Sequence, residues 1–544
     1  MKKTILLFAT LNFLYLLSYA QAPNWLWAKS AGGTDFDFTY SVAVDISRNT
    51  YIAGFFSSLS TSFDTTTLTN VGVRDMFLTK FDSVGNVVWA KSAGGTDVDE
   101  MRSVAVDANG NIYVTGWFKS SSIVFGATTL TNAGDGDMFL AKYDALGNVV
   151  WAKSTGGPNT DIGSSVALDV LGNTYVVGFF SSSTINFGTT TLTNEGDYDM
   201  FLVKYDAAGN VVWAKRAGGS GLDGALSFAL DKNGNTYVAG YYESPTLTFG
   251  STTITNAGSG DIFLVKYNSS GNVVWAKSAG GTGLDESMSI AVDASGNTYL
   301  AGYFSSFSLN FGSTTLTSLG NEDVFLAKYD ANGNVVWAKK AGGTYDDRTN
   351  SVAVDASGNS YVAGYFSSSN ITFGSLTLTN AGGDDLFIAK YNTAGNVVWA
   401  KSAGSLYGDY AQSFTVDGFG DIYITGTFCT DTLIFGSTTL TSAGACDIYL
   451  AKLNNDVGIN EFHKPLNISV YPIPASDKLT IDIQEINEFH KATVSFYDIQ
   501  GQLLLQQTIK QSQIEINISS FAKGVYIIKV HNDNNIMVSK FIKE

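Results

Sequence analysis

The chain is poor in the side chains that most reaction chemistry needs. It holds 3 histidines and 2 cysteines in 544 residues, and His463, His490 and His531 all lie beyond the repetitive stretch that makes up most of the sequence. That excludes a histidine-dependent triad or a histidine-ligated zinc from the main body, because both need an imidazole. Basic charge is also in deficit, 32 Lys and Arg against 49 Asp and Glu. A formal charge of -17 argues against nucleic acid as a partner, since phosphate binding needs clustered cations. The only long apolar run is the one at the start, from Ile5 to Leu17, and it is shorter than the roughly 20 residues a spanning helix needs. No transmembrane segment is therefore expected.

What the sequence does have is glycine, 57 residues, with 6 prolines, many aromatics and short β-branched runs between Asx-Gly turns. That composition indicates many strands and few or no helices, an all-β class. Met1-Lys2-Lys3, the apolar run and Ser18-Tyr19-Ala20 before Gln21 have the charged, apolar and small-residue parts of a secretory signal peptide. Residues 1–20 are read as that peptide, and the mature chain is expected to start near Gln21 and to be soluble.

A repeat dominates the rest. Tryptophans of a Trp-Ala-Lys motif stand at 27, 89, 151, 213, 275, 337 and 399, each 62 residues after the last, and serines at 41, 103, 165, 227, 289, 351 and 413 keep the same step. Within the unit at 103–153, strands are expected at Ser103 to Val106, Ile112 to Phe118, Met138 to Tyr143 and Val149 to Lys153, with a small extra hairpin around Phe125 to Leu130. Turns such as Asp107-Ala-Asn-Gly110-Asn111 suit the connections, Asx side chains capping the backbone and Gly supplying positive φ. Four antiparallel strands per unit make a propeller blade.

The phase of the repeat predicts closure. The first ordered segment, Trp25 to Lys29, is a fourth strand with no preceding three, and the last repeat stops at its third strand, Ile448 to Lys452. The N-terminal strand is expected to complete the seventh blade, closing residues 21–454 into a ring without an open edge. An open solenoid would instead want distinct capping units. The Ser-Val-Ala-Val-Asp-x-x-Gly-Asn-x-Tyr-Val-x-Gly core at 103–116 resembles the repeats of seven-bladed bacterial β-propellers, a resemblance that implies the fold and brings no catalytic residues.

Residues 455–466 read as a linker and 467–544 as a separate small β-sandwich. Its landmarks are Tyr471, Pro472 and Pro474, then Tyr497, Asp498 and Gly501, then Gly524 and Tyr526. In this order they resemble the type A sorting domain of the type IX secretion system, with Ile473 where that family usually has Asn. The resemblance implies an immunoglobulin-like sandwich recognised by the outer-membrane translocon, and a protein released from the cell or attached to its outer surface.

Cys429 and Cys446, 17 positions apart in the final repeat, are expected to form a disulfide, which export permits. Two acidic series suggest binding. Asp37, Asp99, Asp161, Asp223, Asp285, Asp347 and Asp409 stand four residues before the first strand of each unit. Asp75, Asp137, Asp199, Asp261, Asp323, Asp385 and Asp447 stand just before each third strand. Both sets of connections leave one face of a meander, so they can form an acidic mouth for Ca²⁺ or a basic partner; the alternative is that each Asp serves its own turn. Tyr241-Tyr242, Tyr303-Phe304 and Trp117-Phe118 place one ring of each pair between blades and leave the other for contact with a sugar.

The expected function is a non-enzymatic binding or scaffold protein, secreted or surface-displayed, without a cofactor unless it is Ca²⁺, with a glycan or protein partner. The alternatives are an extracellular polysaccharide hydrolase or lyase using carboxylates of the acidic face, and a purely structural surface-layer component.

Overall fold

The structure is a computed structural model and describes residues 22–429, 432–454, 468–483, 492–498, 503–509, 511–532 and 535–544. The signal-peptide and linker assignments, His463, His490 and Gly501 lie outside those residues. The chain divides into two compact units, Met1–Asp456 and Val457–Glu544. Every regular element among the described residues is a strand, and no helix there is long and apolar enough to cross a membrane.

The unit of the first body is seen in its first strands. After β1 (Trp25–Ala31) come β2 (Asp37–Val44), β3 (Thr50–Phe56), the short pair β4 (Ser60–Phe63) and β5 (Thr66–Thr69), then β6 (Asp75–Phe81) and β7 (Val87–Ala93). β2, β3, β6 and β7 form one antiparallel sheet in chain order, and β4 and β5 form a hairpin of their own. The same arrangement recurs along the body. The strands are fixed by their turns: Asp82 Oδ1 accepts the amides of Val84 and Asn86 at 3.0 and 2.8 Å, and Gly85 sits at a φ of 85°, which only glycine adopts cheaply.

One sheet draws on both ends of the repeat region. β1 pairs with Asp447–Leu453, which pairs with Ile422–Phe428 and then Asp409–Val416. In β1, Trp27 lies opposite Lys452, which lies opposite Tyr423; in the next sheet Trp89, Lys80 and Tyr51 make the same row. The amine of each lysine lies over its tyrosine ring, at 4.7 Å for Lys452 and 5.2 Å for Lys80. β1 thus supplies to the last repeat the side chains that β7 supplies to the first.

The first strand of every unit packs against the first strand of the next, and β2 packs against Asp409–Val416. Between neighbouring sheets lie separate apolar layers, such as that of Tyr51, Met76, Val114, Phe118 and Phe139. Fully burying one large apolar side chain contributes about 1.5–3 kcal/mol, and each unit repeats the set.

In the second unit Ile468–Tyr471, Lys478–Ile483 and Gln513–Asn517 form one sheet, and Leu503–Ile509, Ala492–Tyr497, Gly524–Asn532 and Asn535–Lys543 form another. Leu479 and Ile481 of the first share a core with Val494, Phe496, Ile528 and Phe541 of the second.

Candidate functional site

The first strands are longer than the sequence pattern suggests. They begin at the aspartates, not four residues later, so Asp37 opens β2 as Asp75 opens β6. Neither series lies on a loop. Asp37 is opposite Phe56, which is opposite Asp75, and the same cross-strand row is Asp99, Phe118 and Asp137 in the next sheet. The expectation of a loop position fails because a β-bulge between Thr39 and Ser41 breaks the alternation by which a strand is recognised.

All fourteen carboxylates are buried, at 0–2 % exposure. In the first series Asp99 accepts Ser120 N and Oγ at 3.2 and 2.7 Å and Gly95 N at 2.7 Å. Asp161, Asp223, Asp285 and Asp347 hold Ser182, Ser244, Ser306 and Ser368 in the same way, and Asp409 accepts Ser405 Oγ. In the second series Asp75 Oδ2 accepts Val71 N at 3.0 Å, while Oδ1 of Asp75, Asp137, Asp199, Asp261, Asp323, Asp385 and Asp447 has no partner. Burial, with the charge of Asp99 adding to it, pushes the Asp75 carboxyl up to about 6. Asp137 and Asp447 rise alike, each beside a first-series Asp of the adjoining repeat, Asp161 and Asp37. These groups brace the loops and expose little charge to a solute. Among the described residues no three acidic, histidine or cysteine side chains converge on one point.

The same end of the sheets carries side chains that differ from repeat to repeat. Glu100, buried, accepts hydrogen bonds from Arg74 Nη1 at 2.9 Å, Arg102 Nη2 at 3.2 Å, Trp117 Nε1 at 3.1 Å and the Tyr40 hydroxyl at 3.1 Å. Arg348 forms a two-pronged pair with Glu322, 2.9 Å at Nη2, and lies 4.4 Å over the Tyr303 ring. The Tyr410 hydroxyl donates to Asp384 at 2.7 Å and its ring meets Tyr365 edge-on. Phe38 stacks on Phe36 and Phe55. Of these groups Phe36, Phe38, Tyr40, Arg102, Tyr365 and Tyr410 line an open cavity of about 560 Å³.

Of the aromatic pairs singled out in the sequence, Tyr242, Phe304 and Phe118 are buried and Trp117 and Tyr241 partly exposed, as alternation requires; Tyr303 is also buried, at 6 %. Burial and the Asp261 and Asp223 charges push the Tyr242 hydroxyl up to about 12, against the Ser278 hydrogen bond. Cys429 and Cys446 form a disulfide, and Cys429 borders the cavity. The cavity residues at 40, 102, 164, 226, 288, 350 and 412 share no residue type, so no feature common to all repeats points to them. The signal was difference: columns where seven near-identical units disagree.

Residues 88–117 and 336–371 match the family model for a beta-propeller repeat, and residues 469–544 match that for a secretion system C-terminal sorting domain. The chain carries beta-propeller repeats and a secretion system C-terminal sorting domain. The sorting domain directs it to secretion by the type IX system and to the cell surface. Tyr471, Pro472, Pro474, Tyr497, Asp498, Gly524 and Tyr526 fall within the matched stretch.

Among curated relatives, the chain is 24 % identical over 503 residues to an uncharacterized WD repeat-containing protein of Acanthamoeba polyphaga mimivirus, covering 74 % of this chain and 36 % of that one. It is 28 % identical over 221 residues to the regulatory protein FlaEY of Caulobacter vibrioides, covering 38 % and 23 %. With an endo-acting ulvan lyase of Formosa agariphila it shares 36 % identity over 70 residues, 13 % of either chain. The chain thus spans about a third or less of these relatives' lengths. Among solved structures, PorZ of Porphyromonas gingivalis, a surface component of the type-IX secretion system, aligns over 95 % of this chain and 100 % of that one at 10 % identity and a TM-score of 0.18. A Synechocystis apocarotenoid oxygenase variant aligns over 78 % and 91 % at 9 % identity and a TM-score of 0.36.

Proposed function

We propose that residues 21–454 form a closed seven-bladed propeller, that 467–544 form an immunoglobulin-like sandwich read by the translocon, and that the mature protein is a non-enzymatic binding or scaffold protein of the cell surface. Closure is supported by the pairing of β1 with Asp447–Leu453. The binding role is carried by one observation: at the end of the sheets where the charged and aromatic groups gather, the side chains differ between otherwise uniform repeats and surround an open cavity. Ligand sites are concave, mostly apolar and pinned by a few polar groups. A rigid scaffold that varies only there is suited to holding an extracellular glycan or protein. No cofactor enters this reading, and no residue is assigned to catalysis.

The test uses the full chain in a host with this secretion system. Surface proteolysis of intact cells should cleave the protein, and deletion of 469–544 should leave it protected inside. Purified protein should bind extracellular polysaccharide and release no new chain ends; turnover would favour the hydrolase or lyase.

A further inference from the structure

One position in the repeat behaves unlike its neighbours. At 41, 103, 165, 227, 289, 351 and 413 all seven units carry Ser. One residue earlier they carry Tyr40, Arg102, Ser164, Leu226, Met288, Asn350 and Gln412, seven different residues. In each unit that residue is the extra one of a β-bulge: Thr39 and Ser41 have consecutive partners Gly54 and Ala53 and Tyr40 has none, and the same shift occurs in the other six. A bulge re-aims one side chain, and the ladder resumes beyond it with a shifted register. All seven of these side chains line the 560 Å³ cavity.

Three of them carry a buried polar atom without a hydrogen-bond partner: Arg102 Nε, Ser164 Oγ and Gln412 Oε1. Such groups are costly to leave unpaired; the three atoms are closed to solvent as they stand, so a ligand in the cavity takes them up through a rotation of their side chains. Arg102 is ion-paired with Glu100 and the Tyr410 hydroxyl is taken up by Asp384, so the cavity offers aromatic faces, uncharged hydrogen-bonding groups and one ion-paired guanidinium. Resting on the reading of this protein as a surface binder, we infer that the bulge residues form its ligand site and that the ligand is the end of a neutral oligosaccharide. A sugar ring has apolar C–H faces for Phe38, Tyr40 and Tyr410 and hydroxyl edges for Ser164, Asn350 and Gln412. Seven unlike side chains around one axis suit a ligand without rotational symmetry.

The experiment is calorimetric titration of the full chain with neutral hexasaccharides of the gluco-, xylo- and manno- series, with a uronate hexasaccharide, and with short peptides rich in Trp and Tyr. At least one neutral saccharide should bind, and Tyr40→Ala and Gln412→Ala should each weaken it at least tenfold. Leu146→Ala, in an exposed turn at the far end of the strands, should not. Ser164→Trp, which fills the cavity, should abolish binding with an unchanged melting temperature, and stands in should Tyr40→Ala fail to fold. Neutral-saccharide binding untouched by these variants would overturn the site and spare the surface-binding reading. Binding of the uronate or the peptides alone, or of nothing offered, would overturn the ligand class. New reducing ends lost with the variants would support the site and overturn the non-enzymatic reading.

Discussion

The amide of Val42 donates a hydrogen bond to the hydroxyl of Ser413, 371 residues away, at 3.3 Å. The bond recurs between neighbouring repeats, from Val104 to Ser41 at 3.2 Å, Val166 to Ser103 at 3.1 Å and Phe414 to Ser351 at 3.3 Å. The same hydrogen bond thus links the first repeat to the last. Deleting residues 22–31 should leave Val42 and Ser413 in place but strip β1 from Asp447–Leu453, opening a strand edge rich in buried apolar residues. Open edges of that kind associate. A lower melting temperature and higher-order species in size-exclusion chromatography are expected; a monomer of unchanged stability would count against closure.

Arg48 occupies the turn position where other repeats place glycine, and its φ is 64°. Its guanidinium lies 3.8 Å over the Phe419 ring, and its Nε is 3.5 Å from Asp417, both in the last repeat. The left-handed backbone costs an L-residue about 1–2 kcal/mol, and a cation–π contact with a partly buried ion pair recovers about 1–2 kcal/mol. Arg48→Gly should then be nearly neutral, while Arg48→Ala, which keeps the strain and loses both contacts, should cost about 1–2 kcal/mol. Urea unfolding of the two variants gives the comparison.

Stability should fall as pH rises from 5 to 8. Burial raises Asp75, Asp137, Asp199, Asp261, Asp347, Asp385 and Asp447 to about 6 and Asp409 to about 7. A carboxyl whose folded value exceeds its unfolded one near 3.9 binds more protons when folded, so its contribution is complete below about 4 and is lost through 6 to 7. Turn aspartates held low by Asn amides, such as Asp82 and Asp144, act in the opposite sense but only below about pH 4. Thermal melts at both pH values decide it, and a melting temperature higher at pH 8 would refute the assignment.

Gly94→Ala should be severely destabilising although the site is a strand end. A Cβ there would fall 2.2 Å from Asp75 Oδ1, and overpacking against a fixed group costs about 1–3 kcal/mol or more. Gly110→Ala, in a turn with no atom nearer than 3.2 Å but a φ of 80°, should cost less, about 1 kcal/mol. Denaturant midpoints of the pair separate collision from backbone strain.

Reducing the Cys429–Cys446 bond frees a 17-residue span. Loop-closure entropy for that length is about 3 kcal/mol, so a Cys429→Ser, Cys446→Ser variant should unfold at visibly lower denaturant, with the rest of the propeller intact by circular dichroism.

Much of the body was legible because its determinants are local. Ile112–Phe118 and the hairpin of Ser122–Phe125 with Thr128–Thr131 lie where alternation and Asx-Gly turns put them. Asp37 and its equivalents were misplaced onto loops because the bulge at Tyr40 interrupts the pattern just where the first strand starts. Between an acidic mouth and service to its own turn the spacing does not choose, because it is blind to Ser58, whose amide and hydroxyl take up Asp37.

By itself the sequence determined the period, the strand order within a unit, the odd strand at the start and the export motifs at the end. Each of these is written in residues a few positions apart, where turn chemistry and side-chain alternation act. Only the tertiary structure decided that Asp75 and Asp99 are buried neighbours and that Tyr40, Arg102 and Gln412 face one cavity. Those residues belong to different repeats, and the distance between repeats is set by how neighbouring first strands pack against one another, which no local pattern states.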